Sequence, residues 1–119
     1  MNILSIRGAI TAEENTKESI INNSKQLLIE LVERNNISKE EVISIFFSAT
    51  KDLDAIYPAE AARDIGFTNC SLMCFQEMFV PNSLMKCIRV TILLNSYKSQ
   101  SEIKHTYLKE AEILRPDLT

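Results

Sequence analysis

The sequence contains few of the residues on which several common kinds of site depend. Among 119 residues it has two glycines, Gly8 and Gly66, and one histidine, His105. A loop that wraps a phosphate group usually needs more glycine than this, so the sequence lacks a phosphate-binding loop. No strained turn surrounds a serine, and a lone histidine gives no convincing pair of nucleophile and base. The composition therefore argues against covalent catalysis.

Cysteine is also scarce, and its spacing is uninformative for a metal. Cys70, Cys74 and Cys87 are odd in number and form no CxxC pair. We expect reduced thiols and a cytoplasmic protein. With a single histidine, a zinc site with mixed histidine and cysteine ligands is not expected. We predict neither a metal nor a cofactor.

A cationic surface and a long apolar segment are missing as well. The formal net charge is −3 and the pI is about 5.2, whereas nucleic-acid and anionic-membrane surfaces usually need clustered lysine and arginine. No apolar run approaches the ~20 residues of a membrane span, and no signal peptide is recognisable. We expect neither nucleic acid nor membrane as a partner, and one domain over residues 1–119.

What is present is a regular alternation of strands and helices. Leu4, Ile6 and Ile10 share one face of a predicted strand over residues 2–10, and Arg7 lies on the other. Apolar residues at helical spacing and turn signals predict the other elements. In chain order they are a helix at Thr16–Arg34, a strand at Val42–Ala49, a helix at Pro58–Ile65, and strands at Cys70–Met78 and Lys86–Leu94.

The ends of these elements carry recognisable signals. Asn35 and Asn36 are predicted to stop the first helix, and Gly66 to end the second. Ser38 and Glu41 could form a short capping turn before the next strand. Residues 103–108 remain open between a short strand and a helix, and residues 110–119 are predicted to form a tail.

This order of elements predicts an α/β fold, a mixed sheet with helices on one face. The opposite face of the sheet must be exposed to solvent or covered by another subunit. Arg7 and Arg89 leave the sheet on that side, in mid-strand, where a guanidinium needs an anionic partner or a bound anion. The pattern favours a small ligand with carboxylates.

Short segments spread from residue 5 to residue 118 carry a family resemblance. They are Ile6-Arg7-Gly8-Ala9, Ser48-Ala49-Thr50 with Asp52-Leu53, Pro58-Ala59 with Arg63, Cys74 with Gln76-Glu77-Met78, Lys86-Cys87-Ile88-Arg89-Val90, Tyr107-Leu108, and Leu114-Arg115-Pro116-Asp117-Leu118. In order and nearly in spacing, this set resembles the AroH class of chorismate mutases.

The resemblance implies a homotrimer, a pseudo-α/β-barrel with helices outside and active sites between adjacent subunits. It implies the cofactor-free [3,3] rearrangement of chorismate to prephenate in phenylalanine and tyrosine biosynthesis. Such a catalyst must hold the dianion in its folded shape. It must also place a donor beside the ether oxygen, which gains negative charge as its bond breaks.

The resemblance also implies roles for five catalytic residues. Arg89 would donate to the ether oxygen and help to hold a carboxylate, while Arg7 and Tyr107 would grip the side-chain carboxylate. Glu77 and Cys74 would meet the ring hydroxyl, and Glu77 would also orient Arg89. Structural alternatives stay open: interface ion pairs for the arginines, a simple partner of Arg89 for Glu77, and ordinary packing for Tyr107 and Cys74.

Further substrate-binding residues follow from the same resemblance. Arg63 would reach the neighbouring subunit's site and steer the ring carboxylate, or else be a solvated helix residue. Tyr57 would pack beside the ligand. Glu60 stands where the family often has a basic residue, and the closing role of Arg115 is left open. The segment expected to contact the ligand is Met73, Cys74, Phe75, Gln76 and Glu77.

Two other functions compete with this interpretation. An imine deaminase on the same trimeric scaffold would also build carboxylate-gripping arginines at subunit clefts. A noncatalytic metabolite-binding trimer would bind the ligand without turnover. The sequence predicts the mutase ahead of both.

Overall fold

The computed structural model describes residues 1–118 of the chain. It contains five strands and two helices, with short 3-10 turns between and after them. The strands are β1 (Asn2–Thr11), β2 (Val42–Ala49), β3 (Ser71–Gln76), β4 (Cys87–Ser96) and β5 (Thr106–Tyr107), and the helices are α1 (Lys17–Asn35) and α2 (Ala59–Asp64).

The five strands form one mixed sheet in the order β3-β2-β4-β1-β5. The central strand β4 is antiparallel to both β1 and β2, whereas the two outer pairs, β1 with β5 and β2 with β3, are parallel. The mixed sheet predicted from the sequence is therefore confirmed, with residues 106–107 as its short fifth strand.

The ends of α1 follow the local signals in the sequence. Thr16 caps the start, because its side chain accepts a hydrogen bond from the amide of Ser19. Asn36 ends the helix in the left-handed conformation, with φ 50°, which asparagine tolerates better than most residues. The Asn35 side chain is bound to both backbone groups of Lys104, which ties this helix end to the segment before β5.

The main core lies between the helices and one face of the sheet. Leu4, Ile6 and Ile10 of β1 and Ile88 and Ile92 of β4 are buried there, as the strand pattern predicts. The α1 residues that cover them are Ile20, Leu27, Leu28 and Leu31. Burial of these apolar surfaces is the main contribution to the stability of the fold.

The opposite face, called the open face below, is the side of the sheet that carries Arg7, Arg89, Met73 and Phe75. Met73 and Phe75 are each about half exposed, at 48% and 49%, and Ile3 at the far end of β1 is 69% exposed. Charged and apolar side chains therefore share a surface that neither α1 nor α2 covers.

Most predicted elements differ from the observed ones by one or two residues at an end, and the end of the third strand and the tail are the two differences that bear on the site. The third strand ends at Gln76 rather than Met78, because pairing with β2 stops at Ala49 opposite Gln76. The predicted tail instead forms 3-10 turns at Lys109–Leu114 and Pro116–Leu118. Ala111 is fully buried and anchors the first turn to the sheet. Thr119, the last residue of the predicted tail, lies outside the described residues.

Candidate active site

Arg89 stands in the middle of a row of side chains that crosses the open face. It is paired with Ser48 of β2 on one side and with Ala9 of β1 on the other. Phe75 of β3 is opposite Ser48, and Tyr107 of β5 is opposite Ala9. Paired residues point to the same face of a sheet. The small side chains beside Arg89 leave open space around its guanidinium.

Glu77 binds Arg89 at the end of this row. Arg89 Nε lies 3.1 Å from Glu77 Oε1, and Ser48 Oγ donates to that same oxygen at 2.8 Å. The amide of Glu77 donates to the carbonyl of Ala49 at 2.8 Å, which holds the backbone just past the end of β3. The Arg89 and Glu77 side chains remain 44% and 28% exposed, so the ion pair is open to a ligand from solvent.

Arg7 lies on the same face, two residues before Ala9 in β1. Within residues 1–118 its guanidinium forms no ion pair. Its amide donates to Nδ1 of His105 at 2.9 Å. Burial, together with the positive charges of Arg7 and Arg115, lowers the pKa of His105. His105 is partly buried and supports the backbone of β1.

Tyr107 and Cys87 form a small apolar cluster beside the arginines. Both are buried, together with Ala9 and Ala111. Burial raises the pKa of the Cys87 thiol to about 11, although the charge of Arg89 acts in the opposite direction. Cys87 is therefore a neutral thiol at physiological pH, and it adds no negative charge next to Arg89.

A separate cavity of about 530 Å³, the edge cavity, opens between the end of β3, the edge strand of the sheet, and the loop that follows β2. Tyr57, Cys74, Phe75 and Gln76 line it, together with Glu60. The lining is mixed in polarity, and this volume is in the range of small-molecule sites.

Cys74 has its side chain on the helix side of β3, where it is partly buried against the core. Burial raises the pKa of the Cys74 thiol, while the amide of Ala59 and the charge of Arg63 oppose this. Arg63 of α2 is exposed and within electrostatic reach of Cys74.

The predicted site residues therefore form two groups within one chain. Arg7, Glu77, Arg89 and Tyr107 are on the open face, and this set is called the arginine cluster below. Tyr57, Cys74 and Gln76 line the edge cavity, Arg63 is close to it, Phe75 borders both groups, and Met73 is exposed on the open face. Because β1 is three strand spacings from β3, about 14 Å lies between their backbones. Cys74 and Glu77 point to opposite faces, so one chain does not bring them together.

Sequence reasoning missed the residues that support this site. Ser48 belongs to one of the family segments, and the sequence assigns it no role of its own, yet it donates a hydrogen bond to Glu77. Asp52 accepts hydrogen bonds from the amide of Lys86, and Thr50 Oγ1 accepts one from the amide of Cys87, which fixes the start of β4 two residues before Arg89. The signal available in the sequence was the segment Ser48-Ala49-Thr50 with Asp52, because it places two hydroxyls and a carboxylate at the end of a strand and directly after it.

The described residues also bear on metals and membranes. Within residues 1–118 no cluster of three or more histidine, cysteine or acidic residues could hold a metal ion. Neither helix in that range combines the length and apolar character that spanning a bilayer requires.

An exposed arginine cluster on a mixed sheet is typical of a protein that binds a small anionic ligand. Comparison with known proteins shows the family. A family model described as chorismate mutase type I matches residues 3–118. Chorismate mutase AroH of Bacillus subtilis is 42% identical over all of this chain and 94% of its own length. The AroH protein of Thermus thermophilus is 46% identical over 95% of this chain and 93% of its own.

A solved structure agrees in fold. A chorismate mutase from Clostridium thermocellum superposes with a TM-score of 0.90 at 47% identity, over 92% of this chain and 97% of the other. The chain therefore belongs to the chorismate mutase type I family, and it is an isomerase. The comparisons give no support to an imine deaminase or to a noncatalytic metabolite-binding trimer.

Proposed function

We propose that this chorismate mutase converts chorismate to prephenate without a cofactor, at sites formed between the subunits of a homotrimer. The observation that carries the proposal is the division of the binding residues. The arginine cluster lies on the open face, whereas Tyr57, Cys74 and Gln76 line the edge cavity and Cys74 points to the helix side, so each group alone offers only part of the expected contacts. A neighbouring copy that places its edge cavity against the arginine cluster would complete the site.

The reaction requires that the substrate be held in a reactive conformation and that the charge developing on its ether oxygen be stabilised. The rearrangement is intramolecular, so it needs no nucleophile and no general base. The dianion must be held with its reacting carbons close together. As the ether bond breaks, negative charge grows on the oxygen, and a donor already in place stabilises that charge without reorganising.

Arg89 is the donor in this proposal. Its guanidinium is oriented through Nε by Glu77 and stands among small side chains, which leaves room for a ligand. Arg7 would bind the side-chain carboxylate together with the hydroxyl of Tyr107. Arg7 suits that role because no acidic group in residues 1–118 forms an ion pair with it. Glu77 would also accept a hydrogen bond from the ring hydroxyl.

The edge cavity of the adjacent subunit supplies the remaining contacts. Tyr57 would pack against the ligand, Arg63 would attract the ring carboxylate, and Cys74 would approach the ring hydroxyl. The backbone of Met73–Glu77 would border the ligand as well. This arrangement brings Cys74 of one copy to Glu77 of another, which a single chain cannot do.

The homotrimer has independent support in the open face. Ile3, Met73 and Phe75 are exposed there although they are apolar, and exposed apolar surface beside charged groups is typical of an interface. A cyclic trimer repeats one heterologous contact three times and closes. We place the enzyme in the cytoplasm, where its three free thiols would stay reduced.

The test of the mechanism is Arg89→Ala, assayed by loss of the chorismate absorbance. We expect kcat to fall by about 100-fold or more, as when a charge-stabilising donor is removed from other enzymes. Binding should weaken less, because this interaction grows in the transition state. Arg34→Ala is the control, since Arg34 is paired with Glu30 on the surface of α1. An Arg89→Ala enzyme within tenfold of the wild type would refute the role.

The test of the shared site mixes two variants, Arg63→Ala and Arg89→Ala, each of which we expect to lose most of its turnover. In hybrids of Arg63→Ala and Arg89→Ala subunits, some sites combine the intact Arg89 of one subunit with the intact Arg63 of the next. Random assembly of equal amounts would restore about a quarter of the wild-type turnover. Hybrids that stay inactive, or a fully active monomer in sedimentation, would contradict the shared site.

A further inference from the structure

We propose that Ser48 is a positioning residue for the reaction, which holds the carboxylate of Glu77 so that this carboxylate fixes the guanidinium of Arg89. The inference rests on the function proposed above, because that function gives Arg89 its part in turnover. Ser48 itself need not touch the substrate.

The three groups meet at a single oxygen atom. Ser48 Oγ donates to Glu77 Oε1 at 2.8 Å, and Arg89 Nε lies 3.1 Å from the same atom. Ser48 is also the residue of β2 that pairs directly with Arg89 of β4. The hydroxyl therefore comes from the strand position closest to the guanidinium that Glu77 must orient.

Glu77 needs such support because of its place in the chain. β3 ends at Gln76, and the amide of Glu77 makes one hydrogen bond, to Ala49, beyond the paired segment. A glutamate side chain has several rotatable bonds and loses considerable entropy when it is fixed. Ser48 has one such bond, and its backbone is paired on both sides, with β3 and with β4. A hydrogen bond from this rigid position restricts the carboxylate at little entropic cost.

Loss of the hydroxyl should act on turnover more than on binding. A carboxylate free to change rotamer no longer holds Arg89 in one orientation, and the small neighbours Ala9 and Ser48 do not restrain the guanidinium sterically. Its contact with the ether oxygen is strongest in the transition state, so misorientation lowers kcat. Arg7 would still bind a carboxylate, so KM should change little.

The experiment compares four variants in the full-length enzyme. Ser48→Ala should lower kcat by about tenfold or more, the usual effect of losing one hydrogen bond to a charged group, and change KM by less than about twofold. Ser48→Thr keeps a hydroxyl and suits a strand, so it should restore kcat to within about twofold. Ser44→Ala is the matched control: Ser44 lies on the same face of β2, opposite Leu93, and should leave kcat unchanged. The kcat of Ser48→Cys should lie between those of Ser48→Ala and the wild type. This variant replaces Ser48→Ala in the comparison if the alanine variant does not fold.

A double-mutant cycle separates positioning from a purely structural role. In a Glu77→Ala background, Ser48→Ala should cause no further loss of kcat, because the group through which it acts is gone. An equal loss in both backgrounds would overturn the inference, as would a threonine variant no better than alanine. If Arg89→Ala abolishes turnover while Ser48→Ala matches Ser44→Ala, only the role of Ser48 fails. If Arg89→Ala stays active, the proposed function itself fails.

Discussion

Gly8→Ala is a stringent test of how β1 and β5 are held together. Gly8 faces α1 and is paired with Thr106 of β5. A β-carbon added there would lie 2.8 Å from the Thr106 carbonyl oxygen, 3.0 Å from Leu31 Cδ1 and 3.1 Å from Leu27 Cδ1. The leucine side chains can move by a few tenths of an ångström. The carbonyl is backbone, so β5 itself must shift.

The cost follows from this crowding. Overpacking of a tight interior typically destabilises by about 1–3 kcal/mol. For a chain of this length, each kcal/mol corresponds to about 4 °C in the midpoint of thermal unfolding, so we expect a fall of about 4–12 °C. Because β5 has only two residues, it should yield before β1 does, and Tyr107 should move with it. KM should then rise severalfold, because the contact of Tyr107 with the substrate carboxylate stabilises the bound substrate and the transition state alike.

The assay is thermal unfolding at a fixed subunit concentration, followed by steady-state kinetics. Gly66→Asn is the control. Gly66 has φ +100°, and its added β-carbon would meet chiefly the flexible end of Lys39. Asparagine tolerates positive φ better than other residues with a side chain, but φ +100° strains it, so this variant should lose about 1–2 kcal/mol through the backbone without displacing β5. A Gly8→Ala protein that unfolds within about 1 °C of the wild type would refute the argument from crowding.

Two further predictions concern charge and thiols. Hydrogen bonding from the Lys109 side chain lowers the pKa of Glu13 to about 2 from 4.5. The interaction of the Glu13 carboxylate with Lys109 therefore stabilises the folded protein above pH 4.5, and this stabilisation is lost as the pH falls toward 2. Because the Glu13 side chain is 61% exposed, solvent screening limits the fall in the free energy of unfolding of Glu13→Gln to about 0.5–1 kcal/mol at neutral pH. Urea unfolding at about pH 2 should find no difference between this variant and the wild type. A thiol reagent at pH 8 should leave Cys87 unmodified in the native protein, because burial raises its pKa to about 11. The same reagent should modify Cys74 slowly and reduce turnover by filling the edge cavity; a Cys74→Ala enzyme equally inhibited would contradict this.

Patterns that depend on near neighbours in the chain were predictable. The faces of β1 follow from alternation, because successive side chains of a strand point to opposite sides. Thr16 caps the start of α1 and Asn36 caps its end through contacts within a few residues, so local side-chain chemistry is sufficient to locate both ends of the helix. The family resemblance, read from the ordered segments, led to the function that the comparisons confirm.

Features that depend on distant pairing were not predictable. The strand pattern continues to Met78, but β3 ends where its partner β2 ends, at Ala49. Residues 109–114 have the composition of a tail, but they form a 3-10 turn against the sheet because Ala111 packs in a buried cluster with Tyr107 and Cys87. Neither partner is visible in the local sequence.

The amino-acid sequence alone determined which side chains face the helices and, to within one residue, where the long helix begins and ends. The local geometry of strands and of helix ends is enough for these conclusions. Only the tertiary structure decided that Ser48, Glu77 and Arg89 meet at one oxygen and that Cys74 faces away from them. These relations depend on strand order and register, which long-range packing selects and no short segment specifies.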